Sequence, residues 1–199
     1  MKSVASSLLF ALAAAPSLLA QTPVTLRCEL ADGRQTGCYY CPGYEFVVKF
    51  VGTQLESPNV NLNQFTNQYV LIHGTWDGTK VTVTTAQAAV SSFSLTGNGS
   101  IGNRFRPNTQ ANPGDMAMNV VALGSGFTVP FLDLALLLSP ATAVVQGMGP
   151  VNGNGEFKTD LDIPNDPSLV GLRIYGQGVV MTPVGLIYTT DIDAREIAP

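Results

Sequence analysis

Histidine and charged residues are scarce in this chain. It contains a single histidine, His73, and charged side chains make up 12% of its 199 residues. A hydrolase triad would therefore depend on His73, and the serine in Gly124-Ser125-Gly126 lacks the nucleophile-elbow spacing. A lone histidine on a strand is more often a hydrogen-bonded structural residue. We expect a non-enzymatic protein without cofactors, and a hydrolase only as the third hypothesis.

Blocks of like charge are also missing. The formal net charge is −4, and residues 21–102 hold four basic and five acidic side chains. Binding to a phosphate backbone requires clustered cations. The sequence therefore argues against nucleic acid as a partner.

Apolar runs long enough to span a membrane, which takes about 20 residues, do not occur. Residues 8–15 form a shorter apolar run after Lys2, followed by small residues up to Ala20. This layout is typical of a secretory signal peptide, which we assign to residues 1–20. The apolar stretch 127–145 contains Pro130, Asp133 and Pro140, which favours buried strands or one short helix. We expect a secreted or periplasmic protein with no membrane span in the mature chain.

Helical periodicity is absent, whereas β-formers alternate or cluster between turn residues along most of the chain. The strongest hairpin signal is Asp77-Gly78, which stands between two β-rich runs. Residues 59–68 are interpreted as a short helical turn or an irregular crossover. Residues 97–115 are rich in Gly, Asn and Pro and are interpreted as a linker. The prediction is an all-β protein whose last part, residues 116–199, forms a β-sandwich.

The end of the chain carries a motif of Ile-Pro, Leu-x-Gly and Tyr-x-Gln. It resembles the closing domain of a family of uncharacterised exported bacterial proteins, and a weaker resemblance covers the front half. The first resemblance rests on Gly155, Phe157, Ile163, Pro164, Leu169, Gly171, Tyr175 and Gln177, and the second on Leu62, Phe65, Tyr69, Val70 and Gly74. The resemblance implies export and a small OB-like barrel over residues 21–96. It implies no known activity.

Two of the three cysteines, Cys38 and Cys41, have C-x-x-C spacing. A redox motif needs a following helix, but Pro42-Gly43 and a strand-like run come next. A zinc site would have to use all three cysteines and His73. Because exported cysteines are usually oxidised, we predict instead a disulfide from Cys28 to Cys38 or Cys41. One cysteine would then remain unpaired, available to a partner or as a reactive thiol.

Three aspartates, Asp160, Asp162 and Asp166, lie close together in the sequence. Alternate residues of a strand share a face, so Asp160 and Asp162 could contribute to a calcium site or act as a carboxylate pair. The favoured interpretation is a solvated strand face.

Tyr39, Tyr40 and Trp76 are candidate aromatic residues for stacking on a neutral glycan at the barrel. The alternative is that they complete a small core or cover a strand edge. The leading hypothesis is a non-enzymatic structural or interaction protein of the cell envelope or exterior. A binding module for a neutral ligand such as a glycan is second. The expected partner is accordingly a cell-envelope protein or a glycan.

Overall fold

The computed structural model describes residues 21–34, 45–130 and 133–199. In these ranges the helices are two short 3₁₀ segments, Leu62–Phe65 and Pro167–Leu169, so the all-β prediction is confirmed. The strands are β1 (Thr22–Asp32), β2 (Phe46–Val48), β3 (Gln54–Glu56), β4 (Gln68–Trp76), β5 (Lys80–Ala88), β6 (Phe93–Thr96), β7 (Arg104–Gln110), β8 (Met116–Ala122), β9 (Ser125–Thr128), β10 (Leu136–Leu138), β11 (Val144–Pro150), β12 (Glu156–Lys158), β13 (Leu161–Asp162), β14 (Arg173–Met181) and β15 (Ile187–Glu196).

Strands β1 to β5 close into a small barrel in the order β1-β2-β3-β5-β4, with β4 returning to pair with β1. The β3–β5 pair is parallel and the other pairs are antiparallel. Alternate residues of β1, from Val24 to Leu30, point into the barrel and are buried. This connectivity confirms the OB-like barrel.

The β4–β5 hairpin turns at Asp77-Gly78, as the sequence predicts. Gly78 has a φ of +98°, which glycine adopts without strain. Asp77 Oδ1 accepts hydrogen bonds from the backbone N–H groups of Thr79 (2.8 Å) and Lys80 (2.9 Å). The turn is therefore fixed by local chemistry that can be recognised in the sequence.

The second half contains a β-sandwich of two sheets and a separate two-stranded sheet, β10-β9. One sheet has the order β11-β8-β14-β15, and the other has the order β12-β7-β13 with β6 beside β7. On β8, Ala117 and Val121 belong to hydrophobic clusters shared with the second sheet, whereas Val120 and Ala122 belong to a cluster shared with the barrel. The four-stranded sheet with β8 at its interior is therefore covered on both faces over part of its length.

Residues 97–115, which the sequence predicts as a linker, are not irregular throughout. They contain β7, which pairs with β6, β12 and β13. Phe105 is buried, and the buried Thr109 donates a 2.6 Å hydrogen bond to Asn119 Oδ1 on β8. The sandwich strands thus begin at β6 rather than at residue 116. The division into separately folding domains stays a prediction.

One hydrophobic cluster joins the barrel to the sandwich. Leu26 of the barrel, Val120 of β8 and Ile192 of β15 all belong to it. Backbone hydrogen bonds add to the junction: Thr25 N–H donates to Asp133 O (2.6 Å), and Ala135 N–H donates to Thr25 O (3.2 Å). Of the residues described, none forms a helix with the length and apolar character needed to cross a membrane.

Candidate functional site

A polar cleft of about 380 Å³ opens on the barrel where β2 and β3 meet the 3₁₀ helix Leu62–Phe65. Its floor is apolar, because Phe46, Leu55 and Leu62 are buried members of the barrel core. The remaining lining residues are Glu45, Gln54, Glu56, Ser57, Val60, Asn61 and Asn63. The cleft therefore combines an apolar base with a ring of carboxylate, amide and hydroxyl groups.

The wall between β3 and the 3₁₀ helix is held in place by short-range hydrogen bonds. Ser57 Oγ donates to Val83 O (2.8 Å) and accepts from Val60 N–H (2.9 Å), which ties this segment to β5. Asn61 Oδ1 accepts from Asn63 N–H (3.2 Å) and so caps the 3₁₀ helix. This wall of the cleft, from Ser57 to Asn63, is thus preformed.

The polar groups of the cleft differ in how far they are already engaged. Glu56 forms a 2.6 Å ion pair with Lys80, the first residue of β5. The side chains of Gln54 and Asn63 make no hydrogen bond to another described residue. Each amide can offer two N–H donors and one carbonyl acceptor to a ligand. Glu45 adds an exposed carboxylate at the rim.

Trp76 packs within the protein, as the alternative interpretation of this residue proposed. Its ring lies 4.5 Å from the ring of Phe127 on β9, at an interplanar angle of 40°. Trp76 is partly buried against the cluster that joins the barrel to the sandwich. The other two aromatic candidates, Tyr39 and Tyr40, lie outside the described residues, in the segment 35–44 that precedes Glu45.

Cys28 lies on β1, fully buried in the barrel core, and its thiol is free. Burial raises the pKa of this thiol, and the nearby carboxylates of Asp191 and Glu29 raise it further. The structure thus has no disulfide at Cys28. The other two cysteines, Cys38 and Cys41, lie outside the described residues, so the predicted disulfide is not shown.

Asp160 and Asp162 form ion pairs with arginines of β7. Asp160 lies 3.0 Å from Arg106 Nε and 2.8 Å from Arg104 Nη1, and Asp162 lies 3.4 Å from Arg104 Nε. The hydrogen bond from Arg106, followed by the one from Arg104, holds the pKa of Asp160 below its ordinary value. These guanidinium groups neutralise the carboxylates that the sequence nominated for calcium.

Asp166, the third aspartate of that group, has a separate role. Its Oδ1 accepts a 2.9 Å hydrogen bond from Ser168 N–H and caps the 3₁₀ helix Pro167–Leu169. Across residues 21–34, 45–130 and 133–199, no group of three or more His, Cys, Asp or Glu side chains could hold a metal ion. The three aspartates serve in ion pairs and capping within these ranges.

His73 is hydrogen-bonded to a neighbouring strand. Its Nδ1 lies 2.9 Å from Thr25 Oγ1 on β1, at an exposed position of the barrel wall. In the described part of the chain no carboxylate hydrogen-bonds to the ring. A triad geometry, in which an acid orients the histidine, is therefore not formed by these residues.

The closing motif contributes both a buried anchor and a surface groove. Gln177 is fully buried on β14, where its Oε1 accepts from Leu137 N–H (2.9 Å) and its Nε2 donates to Thr190 O (2.9 Å). Ile163, Pro164 and Leu169 line an apolar groove of about 240 Å³. The motif thus binds three strands together and shapes the surface beside them.

Sequence reasoning did not find the cleft residues Glu45, Gln54 and Asn63. Glu45 lies just before β2, Gln54 on β3 and Asn63 in the 3₁₀ helix, and single polar residues at such positions carry no signal of their own. The one usable signal was the prediction of a short helical turn within residues 59–68, which the 3₁₀ helix Leu62–Phe65 confirms. Comparison of the chain with protein-family models, with curated proteins and with solved structures found no match.

Proposed function

We propose that this protein is a non-enzymatic interaction protein of the cell envelope or exterior, whose barrel binds a neutral, hydroxyl-rich ligand such as a glycan. The observation that carries the proposal is the polar cleft over β2, β3 and the 3₁₀ helix Leu62–Phe65. In OB-type barrels, the face of strands 2 and 3 is the place where oligonucleotides and oligosaccharides bind.

The charges of the cleft favour a neutral glycan over a nucleic acid as its ligand. Its lining contains two carboxylates, Glu45 and Glu56, and no lysine or arginine. Lys80, which borders the cleft, is already paired with Glu56. The carboxylate of Glu45 would repel a phosphate group, whereas a sugar hydroxyl can donate a hydrogen bond to it.

The unpaired amides suit the same ligand. Gln54 and Asn63 present donors and acceptors beside the apolar floor formed by Phe46 and Leu55. Sugar rings offer hydroxyls at their edges and C–H groups on their faces, which match such a mixed surface. The volume of about 380 Å³ lies low in the range of about 300 to 1,000 Å³ that is usual for small-ligand sites. It fits a short glycan segment.

The test is a glycan array probed with residues 21–199, followed by calorimetry with the neutral glycan that gives the strongest signal. The double variant Gln54→Ala/Asn63→Ala should weaken binding about thirtyfold, because two hydrogen bonds are lost and each is worth roughly 1 kcal/mol. Gln87→Ala removes an exposed amide on β5 outside the cleft and should leave the affinity unchanged.

Three results would contradict the proposal. The first is that no neutral glycan binds, and the second is that the double variant binds as tightly as the wild type. The third concerns the non-enzymatic part of the proposal. If new reducing ends appear in the bound glycan, the protein is a hydrolase.

A further inference from the structure

Strand β11 has one edge without a partner in the described structure. It pairs with β8 on one side only, and it ends the sheet β11-β8-β14-β15. On its other side, the backbone groups of residues 144–149 make no hydrogen bond to another described residue. Such a row of N–H and C=O groups is a template for pairing with a further strand.

This edge lies in the part of the chain that is poorest in charge. Residues 116–155, which contain both β8 and β11, include one charged residue, Asp133. Proteins usually protect an exposed edge with charged side chains, proline or a bulge. Here the protection consists of the bulge between Val145 and Gly147 and of Pro150 at the end of the strand.

Exposed apolar side chains accompany the free edge. Val145 is 56% exposed and Met148 is 70% exposed. Met148 lies directly opposite Met118, and Met116 lies opposite Met181, so four methionines share one face of the sheet. Methionine side chains adapt readily to an apolar partner surface.

We propose that β11 pairs in antiparallel fashion with β11 of a second copy of this chain. The two four-stranded sheets then join into one continuous sheet across a two-fold axis. The chain carries a net charge of −4, so two copies repel each other at most surfaces. The β8–β11 region brings no charge into the contact, and an antiparallel pair of identical strands satisfies the N–H and C=O groups of both.

Sedimentation velocity tests the pairing, with the mature chain at concentrations from about 1 μM to about 1 mM, the range in which small interfaces dissociate. The expected result is a reversible monomer–dimer equilibrium. Hydrogen exchange at both ends of this range should show that amides of residues 144–149 become protected in the dimer. The variant Val145→Lys/Met148→Lys should weaken the dimer at least tenfold.

Val90→Lys is the matched control. Val90 is 77% exposed in the segment between β5 and β6, and its substitution should leave the dimer intact. Circular dichroism of each variant shows that it is folded. A protein that stays monomeric throughout overturns the proposal, as does a dimer that resists the edge variant. Protection that appears away from residues 144–149, or open-ended growth beyond the dimer, overturns it as well.

Discussion

The carboxylate of Asp191 on β15 accepts a 2.6 Å hydrogen bond from the backbone N–H of Ser92, just before β6 begins. The hydroxyl groups of Ser91 and Ser92 donate two further hydrogen bonds to it, each 2.9 Å long. Asp191 is 1% exposed, and burial raises its pKa in spite of these donors. The buried Asp191 side chain therefore links β15 to the segment just before β6, the first strand of the sandwich.

Asp191→Asn should change how stability depends on pH. The folded protein holds the Asp191 proton more tightly than the unfolded chain, whose pKa is near 3.8. The contribution of Asp191 to the free energy of unfolding is therefore full below pH 3.8 and is lost as the pH rises through the raised pKa. Urea unfolding of both proteins over a pH series should show the wild type losing stability relative to the variant in that window.

Asp160→Asn is the control for that series, because Arg106 and Arg104 lower the pKa of the Asp160 carboxyl. Asp160 contributes stability that is present above pH 3.8 and is lost as the pH falls through its lowered pKa. The pH range in which Asp160 changes the free energy of unfolding should therefore lie below that of Asp191. In that range the contribution of Asp160 should increase with pH, whereas that of Asp191 decreases with pH. A stability difference between wild type and Asp191→Asn that is the same at every pH would contradict the assigned role of Asp191.

Cys28 should resist thiol reagents in the native protein. It is fully buried in the barrel, and burial together with Asp191 and Glu29 raises its pKa, so little thiolate is available to react. Alkylation followed by peptide mass spectrometry should label Cys28 only in denaturant, without any reductant. If labelling of unfolded protein requires a reductant, Cys28 is in a disulfide, as the sequence predicts and the structure does not show.

Gly78→Val should destabilise the barrel by about 1 to 2 kcal/mol, because a β-branched residue is strained in the left-handed region. Gly78 has a φ of +98°, whereas Gly153, a loop glycine with open space around it, has no positive φ. Gly153→Val is thus the matched control and should cost less. Equal melting temperatures for the two variants would show that the β4–β5 turn does not depend on Gly78.

Gln177→Leu should destabilise the protein by about 1 to 3 kcal/mol, since Leu137 N–H and Thr190 O would lose their buried partner. Gln110→Leu makes the same change at an exposed position of β7 and should have little effect. Chemical denaturation compares the two variants. Similar free energies of unfolding for the two variants would show that the buried Gln177 side chain does not stabilise the contact between β10, β14 and β15.

Local signals in the sequence predicted much of the fold, because they depend on neighbours along the chain. Asp77-Gly78 carries its own turn chemistry, and alternating β-formers indicated the barrel strands. The strand β7 was missed because its sequence, RFRPNTQ, has one large apolar side chain. The burial of β7 depends on the hydrogen bond between Thr109 and Asn119 of β8. No local sequence pattern predicts this contact.

The candidate site could not be predicted in the same way. Gln54 and Asn63 become neighbours only when β3 and the 3₁₀ helix Leu62–Phe65 fold over the barrel. Trp76, in contrast, is a residue that the sequence nominated for ligand binding but that packs within the protein. An aromatic side chain can stack on a sugar or pack in a core, and the sequence does not distinguish the two. The barrel junction gives Trp76 the partner Phe127, which the sequence alone could not indicate.

The most direct measurement is an NMR titration of ¹⁵N-labelled protein comprising residues 21–199 with the neutral glycan that binds best on the array. The side-chain NH₂ signals of Gln54 and Asn63 and the backbone signals around Glu56 should shift together and saturate, because these groups line one cleft. The Gln87 side-chain signal should stay in place. Shifts confined to other surfaces, or no shifts at glycan concentrations that saturate the array, would contradict a glycan site on the β2–β3 face.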